Sequence, residues 1–243
     1  MGKGRSLVNG TVSAPRIISW NITLRCPLKC SHCYVDAGVE EIAGVLSTTE
    51  ACGVIDQIRA TGKPVVVLSG GEPLLRKDIV EIARYGTEQG LRMVMGTSGY
   101  FIDQTIAKKL SDSGIRAVAI SLDSKNATWH DSFRGLDGVW EKAVAAIGHC
   151  RDAGIGVQIN MSVMRSAIRE VEDVISLGTS LGVRDYQLFF PIPTGRARQT
   201  GHRSKEEYED LIRQILIRYR DSDLNIRPTC APQFRRIADE LGI

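Results

Sequence analysis

Val65-Val66-Val67-Leu68-Ser69-Gly70-Gly71-Glu72-Pro73 passes from an unbroken branched apolar run straight into a glycine turn. A run of this kind suits a parallel strand buried on both faces. Downstream the pattern repeats. A helix from about 78 to 89 ends at Gly90 before an apolar strand at 91–95, and a helix at 103–113 ends at Gly114 before a strand at 117–122. A loop from Trp129 to Gly135 leads to a helix at 139–153, Gly154 and a strand at 157–163; a helix at 168–181 then leads through Gly182 to a strand at 186–190. Upstream, Thr48 caps a helix with Val54, Ile55 and Ile58 on one face, ended by Gly62-Lys63-Pro64, and Ile17–Thr23 reads as the first strand. Successive βα units imply right-handed crossovers and a parallel sheet. The class is α/β, and periodicity alone leaves open a doubly wound sheet or an incomplete barrel. In both, functional residues collect at the carboxyl ends of the strands, and the loops at 24–38, 69–73, 97–99, 121–135 and 190–198 all fall there.

The chain has 243 residues, enough for one sizeable α/β domain with a small appendage. Residues 1–15, rich in glycine, serine and basic residues, read as a flexible leader, 16–198 as the core and 199–243 as a C-terminal extension with an amphipathic helix at 206–219. A net charge of +3 carries no argument for nucleic acid and suits a modestly anionic small-molecule substrate. No apolar run reaches the ~18 residues that a membrane span needs, and no apolar signal core follows Met1, so a cytoplasmic protein is expected.

Three of the six cysteines, Cys26, Cys30 and Cys33, lie at C-x3-C-x2-C spacing just after the first strand. Clustering of this kind favours metal over disulfide chemistry. Three thiolates leave a coordination position open on an iron–sulfur cluster. Zinc is the competing metal, but a structural zinc site needs four ligands and His32, between two of the cysteines, is poorly placed to be the fourth. Cys52 and Cys150 sit in helical patterns and read as buried small apolar residues.

Cys26, Cys30 and Cys33, with His32 before the last, together with Gly70-Gly71-Glu72-Pro73 at the end of the second strand, resemble the paired signature of the radical S-adenosylmethionine (SAM) superfamily. The resemblance covers residues 16 to 195. It implies a partial (β/α)6 TIM-like barrel, a 4Fe-4S cluster on the three cysteines, and SAM on the fourth iron. Reductive cleavage of SAM would then give a 5′-deoxyadenosyl radical that abstracts hydrogen from a substrate, with a ferredoxin or flavodoxin as electron donor. Gly70 and Gly71 would let backbone approach the methionine end of SAM, with Pro73 closing the motif; Glu72 would hold this loop or pair with the SAM ammonium. Ser98, Ser121, Asp123 and Asn160 match positions that contact SAM in related enzymes, and Arg134, in a His-Asp-x-x-Arg segment, would pair with the SAM carboxylate.

Pro193-Thr194-Gly195-Arg196 and Thr229-Cys230-Ala231-Pro232 resemble the branch that modifies siroheme-derived tetrapyrroles, the alternative heme synthase and d-type heme biosynthesis proteins, which carry a SPASM or twitch auxiliary-cluster domain. The resemblance makes Cys230 a candidate ligand of a second Fe-S cluster and the chain a fragment lacking most of that domain. Arg196, Arg198, His202 and Arg203 are candidates to meet substrate carboxylates. A radical SAM peptide or enzyme maturase is the alternative enzyme, and a catalytically silent metal-binding module the alternative from another class.

Overall fold

Among the described residues seven strands run parallel and pair in chain order: β1 Ile17–Thr23, β2 Val65–Gly70, β3 Arg92–Thr97, β4 Ala117–Ser121, β5 Gly156–Ser162, β6 Asp185–Phe189 and β7 Asn225–Thr229. The structure is a computed structural model that describes residues 14–164, 168–199 and 204–243. Helices α1 Thr48–Thr61, α2 Ile79–Glu88 and α3 Gln104–Asp112 link the first four strands. Helices α4 Ala127–Arg134 and α5 Val139–Asp152 lie between β4 and β5; α6 Ile168–Ser180 and α7 Lys205–Tyr219 make the last two crossovers, and α8 Gln233–Leu241 follows β7. Among the described residues β1 pairs only with β2, and β7 only with β6, so the sheet is an incomplete barrel with two edges. Among the described residues no helix is long and apolar enough to cross a membrane.

The alternation along each strand sorts the residues. Val66 and Leu68 of β2, Met93 and Met95 of β3 and Ile120 of β4 are fully buried, in one core with Ile55 of α1, Ile82 of α2 and Ile147 of α5. Val65 and Val67 on the opposite face of β2 are only half-buried. The expected burial on both faces therefore holds on the helix side alone, because an incomplete barrel leaves its concave face open. That face carries polar residues: Ser121, Asn160, Gln187 and Arg227 stand in one register row across β4 to β7.

Three local expectations differ. Ser47, not Thr48, caps α1, in a reciprocal capping box with Glu50. Thr48 instead donates to Asp78 Oδ2 at 2.6 Å. The Trp129–Gly135 stretch is helical: α4 is capped by Asn126, whose side chain accepts from Trp129 N at 2.9 Å, and stops at left-handed Gly135. The segment 199–243 supplies a seventh strand. Its Pro228 lacks an amide donor, which an edge strand tolerates.

Candidate active site

The loop between β1 and α1 is closed at its neck. Cys26 N donates to Gly38 O at 2.6 Å and Gly38 N to Leu24 O at 3.2 Å. Cys26 and Cys30 are buried, Cys33 is half-buried, and all three are free thiols. They pack with Leu28, Ala37 and Val139 in a small apolar cluster of their own. Desolvation is the largest influence on two of them: burial pushes Cys26 up to about 12, and raises Cys30 against the opposing pull of Arg134. A cationic centre reverses such a preference by deprotonating the thiols that bind it.

Among the described residues no three His, Cys, Asp or Glu side chains are gathered around a single metal ion. His32 is taken up elsewhere: its ring stacks on Phe133 at 4.3 Å and 7°, and Phe133 stacks in turn on Trp129 at 4.8 Å. Burial lowers His32 to about 3, so it is neutral. Three free thiols on one loop without a fourth protein ligand fit a cluster better than zinc. Donors point at the sulfurs: Ala37 N at 3.4 Å from Cys33 Sγ, Arg134 Nη1 at 3.9 Å from Cys30 Sγ, and the Leu28 backbone toward Cys26. Hydrogen bonds to ligand sulfurs are among the means by which proteins set the potential of an iron–sulfur centre.

The Gly70–Pro73 turn lies directly on the entry to this loop. Gly71 N donates to Thr23 O at 2.8 Å and Glu72 N to Arg25 O at 2.7 Å. A Cβ on Gly70 would stand 2.2 Å from Thr23 O, and one on Gly71 2.3 Å from Arg25 O. The glycines are thus required by backbone at the end of β1 and at the start of the cysteine loop. Glu72 is fully buried and ties β2 to β3: Oε1 accepts from Thr97 Oγ1 at 2.8 Å, and Oε2 from Ser98 N at 3.0 Å and Ser98 Oγ at 2.5 Å. Of its two expected roles, the geometry displays the one of holding the loop. Pro73 is buried and starts a short 3-10 turn over Pro73–Leu75.

Beyond β4, Asp123 and Arg134 occupy each other. Asp123 Oδ2 accepts from Arg134 Nε and Nη2, both at 2.6 Å, and Oδ1 accepts from Ser162 N at 2.9 Å. Burial is the largest single influence and opposes the Asp123 charge, but Arg134, the neighbouring histidines and the Ser162 amide together hold the carboxyl below its ordinary range. His130 is fully buried, its Nδ1 accepts from Asp123 N at 3.2 Å, and burial lowers it to about 4, so it is a neutral acceptor here. The fork that resemblance assigned to the SAM carboxylate is therefore engaged by Asp123, leaving Nη1 toward Cys30. Ser98 likewise spends its hydroxyl on Glu72. Ser121 and Asn160 are half-buried register partners on the concave face, and Asn160 Oδ1 accepts from Gln158 Nε2 at 2.7 Å.

Arg196 also differs from its expected role: its Nε donates to Cys30 O at 2.8 Å, which turns it into the protein and away from a substrate carboxylate. Arg198 is exposed. His202 and Arg203 lie outside the described residues. Cys230 is exposed with φ of 60° and follows β7 directly, at the same carboxyl ends as the rest of the site. Sequence reasoning missed Thr97, Gln187 and Arg227. Thr97 sits beside a named serine, whereas the other two become visible only once strand register is known.

A family model described as the radical SAM superfamily matches residues 20–178. The chain is 39% identical over 225 residues to an AdoMet-dependent heme synthase of Methanosarcina barkeri, covering 93% of this chain and 64% of that protein. It is 39% identical over 161 residues to an Fe-coproporphyrin III synthase of the same organism, covering 66% of this chain and 40% of that protein. The chain thus spans less than two thirds of the length of these relatives. Among solved structures, Streptococcus suis SuiB bound to S-adenosylmethionine superposes with a TM-score of 0.76 over 89% of this chain and 51% of that one, at 14% identity. That likeness bears on the fold and supports the partial barrel.

Proposed function

The chain belongs to the radical SAM superfamily, and from that membership we propose that it is the barrel core of an enzyme acting on a carboxylate side chain of a siroheme-derived tetrapyrrole in heme biosynthesis. The superfamily uses a 4Fe-4S cluster and SAM, and these cofactors carry the hard chemistry, hydrogen abstraction initiated by reductive cleavage of SAM. Cys26, Cys30 and Cys33 would hold the cluster. Glu72 fixes the glycine turn against β3, so that Gly70 and Gly71 present backbone beside the cysteine loop. Asp123 and Arg134 lock the end of β4 to Cys30. Ser121 and Asn160, on the open concave face, are available to SAM or substrate.

The observation that carries the tetrapyrrole assignment is the 39% identity, over 93% of this chain, to the heme synthase. Two features support it. The barrel is open between β1 and β7, which suits a large planar substrate, and Arg198 is exposed beyond the carboxyl end of β6. Free thiols suit a reducing cytoplasm, where a ferredoxin or flavodoxin would deliver electrons. Cys230 would contribute to a second Fe-S centre. Anaerobic reconstitution followed by incubation with SAM, reductant and Fe-coproporphyrin III tests the proposal. Formation of 5′-deoxyadenosine with loss of substrate carboxyl groups is expected; an iron-loaded protein that cleaves SAM but leaves the tetrapyrrole unbound would overturn the substrate.

A further inference from the structure

The cysteine loop is gripped by a segment far from it in the chain. Gly195 and Arg196 open the 3-10 turn Gly195–Gln199 that follows β6. The Arg196 amide donates to Cys33 O at 3.0 Å. Its side chain donates from Nε to Cys30 O at 2.8 Å and from Nη1 to Ala37 O at 2.9 Å and Asp36 Oδ1 at 2.6 Å. A Cβ added to Gly195, whose φ is +53°, would lie 2.3 Å from Cys33 O and 2.7 Å from Tyr34 O. Asp36 at the far side of the loop has φ of 53°, a conformation that non-glycine residues rarely adopt. Its carboxylate is itself one of the acceptors of that guanidinium.

An arginine that reads a substrate carboxylate keeps its planar fork open to the cavity. Here three donors are committed to the protein's own loop. The other face of the loop is braced separately: Lys29 N donates to Arg134 O at 3.0 Å and Ser31 N to Phe133 O at 3.1 Å, at the end of α4. Those bonds end at Ser31. Next to it the His32 ring stacks on Phe133, Tyr34 Oη donates to Asn21 Oδ1 at 3.1 Å in an exposed contact, and the carbonyls of Cys30, Cys33 and Ala37 all accept from Arg196.

We propose that Gly195-Arg196 is the positioning element of the three-cysteine loop, Arg196 by pinning its carbonyls and Gly195 by admitting the close approach. The spacing of the thiols is then set jointly by the β1–α1 and β6–α7 connections. The inference rests on the reading of Cys26, Cys30 and Cys33 as cluster ligands, and its test separates the two.

In the metal-free protein, hydrogen exchange of the amides at 30–37 is expected to be about tenfold faster in Arg196→Gln and in Gly195→Ala, with β3 and β4 unchanged as the internal check of folding. Gly195→Ala removes no charge and no group able to meet substrate. After anaerobic reconstitution both variants are expected to lose iron to a chelator about tenfold faster than wild type, with Arg196→Lys intermediate. Wild-type exchange at 30–37 in both variants would overturn the proposal, as would faster exchange with iron retained as in wild type. An Arg196→Gln protein with an unchanged loop but weakened binding of Fe-coproporphyrin III would return Arg196 to substrate and overturn it too. Failure of wild type itself to take up iron would fault the reading of the thiols, while the exchange measurement, which needs no metal, still decides the clamp.

Discussion

Glu72 concentrates more of the site in one side chain than any residue around it. Both carboxylate oxygens are occupied by donors from β3 and the following 3-10 turn, and the group is wholly buried. Glu72→Gln turns one acceptor into a donor facing other donors, and is expected to cost about 2–3 kcal/mol in denaturant unfolding. Asp78 performs a similar service nearer the surface. It accepts from Arg76 Nε at 2.7 Å, from Arg76 Nη2 at 2.9 Å and from Thr48, and Arg76 also reaches Ile22 O and Leu46 O. The hydrogen bond from Arg76 lowers the Asp78 pKa more than burial raises it. Its contribution is therefore present above the unfolded carboxyl pKa of about 3.9 and lost as pH falls through the lower folded value. Asp78→Asn is expected to destabilise by about 2 kcal/mol at pH 7, and the gap to wild type should close in acid unfolding below about pH 3.9. At this scale the sequence revealed identities better than partners. The cysteines and Gly70–Pro73 are legible because each motif is contiguous. Cys30 and Arg134 stand 104 residues apart, and Ser98 and Glu72 26 apart, so who occupies whom waited on the fold.

Among the elements, α4 was the hardest to see. It is eight residues long, buries only His130 and Arg134, and so lacks the apolar stripe that announces a helix. Its signals are local, Asn126 before it and Gly135 after it. Its position matters more than its length, since its last carbonyls accept from Lys29 N and Ser31 N. Asn126→Ala is expected to cost about 1 kcal/mol through loss of the cap. If α4 braces the cysteine loop, exchange at Lys29 and Ser31 should rise with it, while the amides at the neck, Cys26 and Gly38, stay as in wild type. Unchanged exchange at Lys29 and Ser31 would show that α4 holds its end without the cap. The β-strands with their long helices were legible by contrast, because apolar runs and glycine stops recur at every unit from β2 to β6.

For the whole molecule, the question is whether residues 199–243 stand apart or complete the barrel. They read as an extension because Asn225-Ile226-Arg227-Pro228-Thr229 is polar and holds a proline, features that argue against an interior strand. As the last strand of an open barrel, β7 meets neither objection: its outer edge needs no partner, and its polar residues face the concave side. Asp185 to Phe189 pair with Asn225 to Thr229 without a break in register. Leu211, Ile212 and Ile215 of α7 and Ile237 of α8 lie in the same buried core as Tyr186 and Leu188 of β6. A shared core implies shared unfolding. All three tryptophans, Trp20, Trp129 and Trp140, precede residue 199, so their fluorescence reports the barrel alone, whereas far-UV circular dichroism reports the whole chain. Ile212 has no exposed surface, and Ile212→Ala is expected to cost about 2–5 kcal/mol. If the tail completes the barrel, the fluorescence midpoint in urea should fall together with the dichroism midpoint. A fluorescence transition left at its wild-type position, preceded by a separate dichroic one, would make 199–243 an independent unit resting on β6.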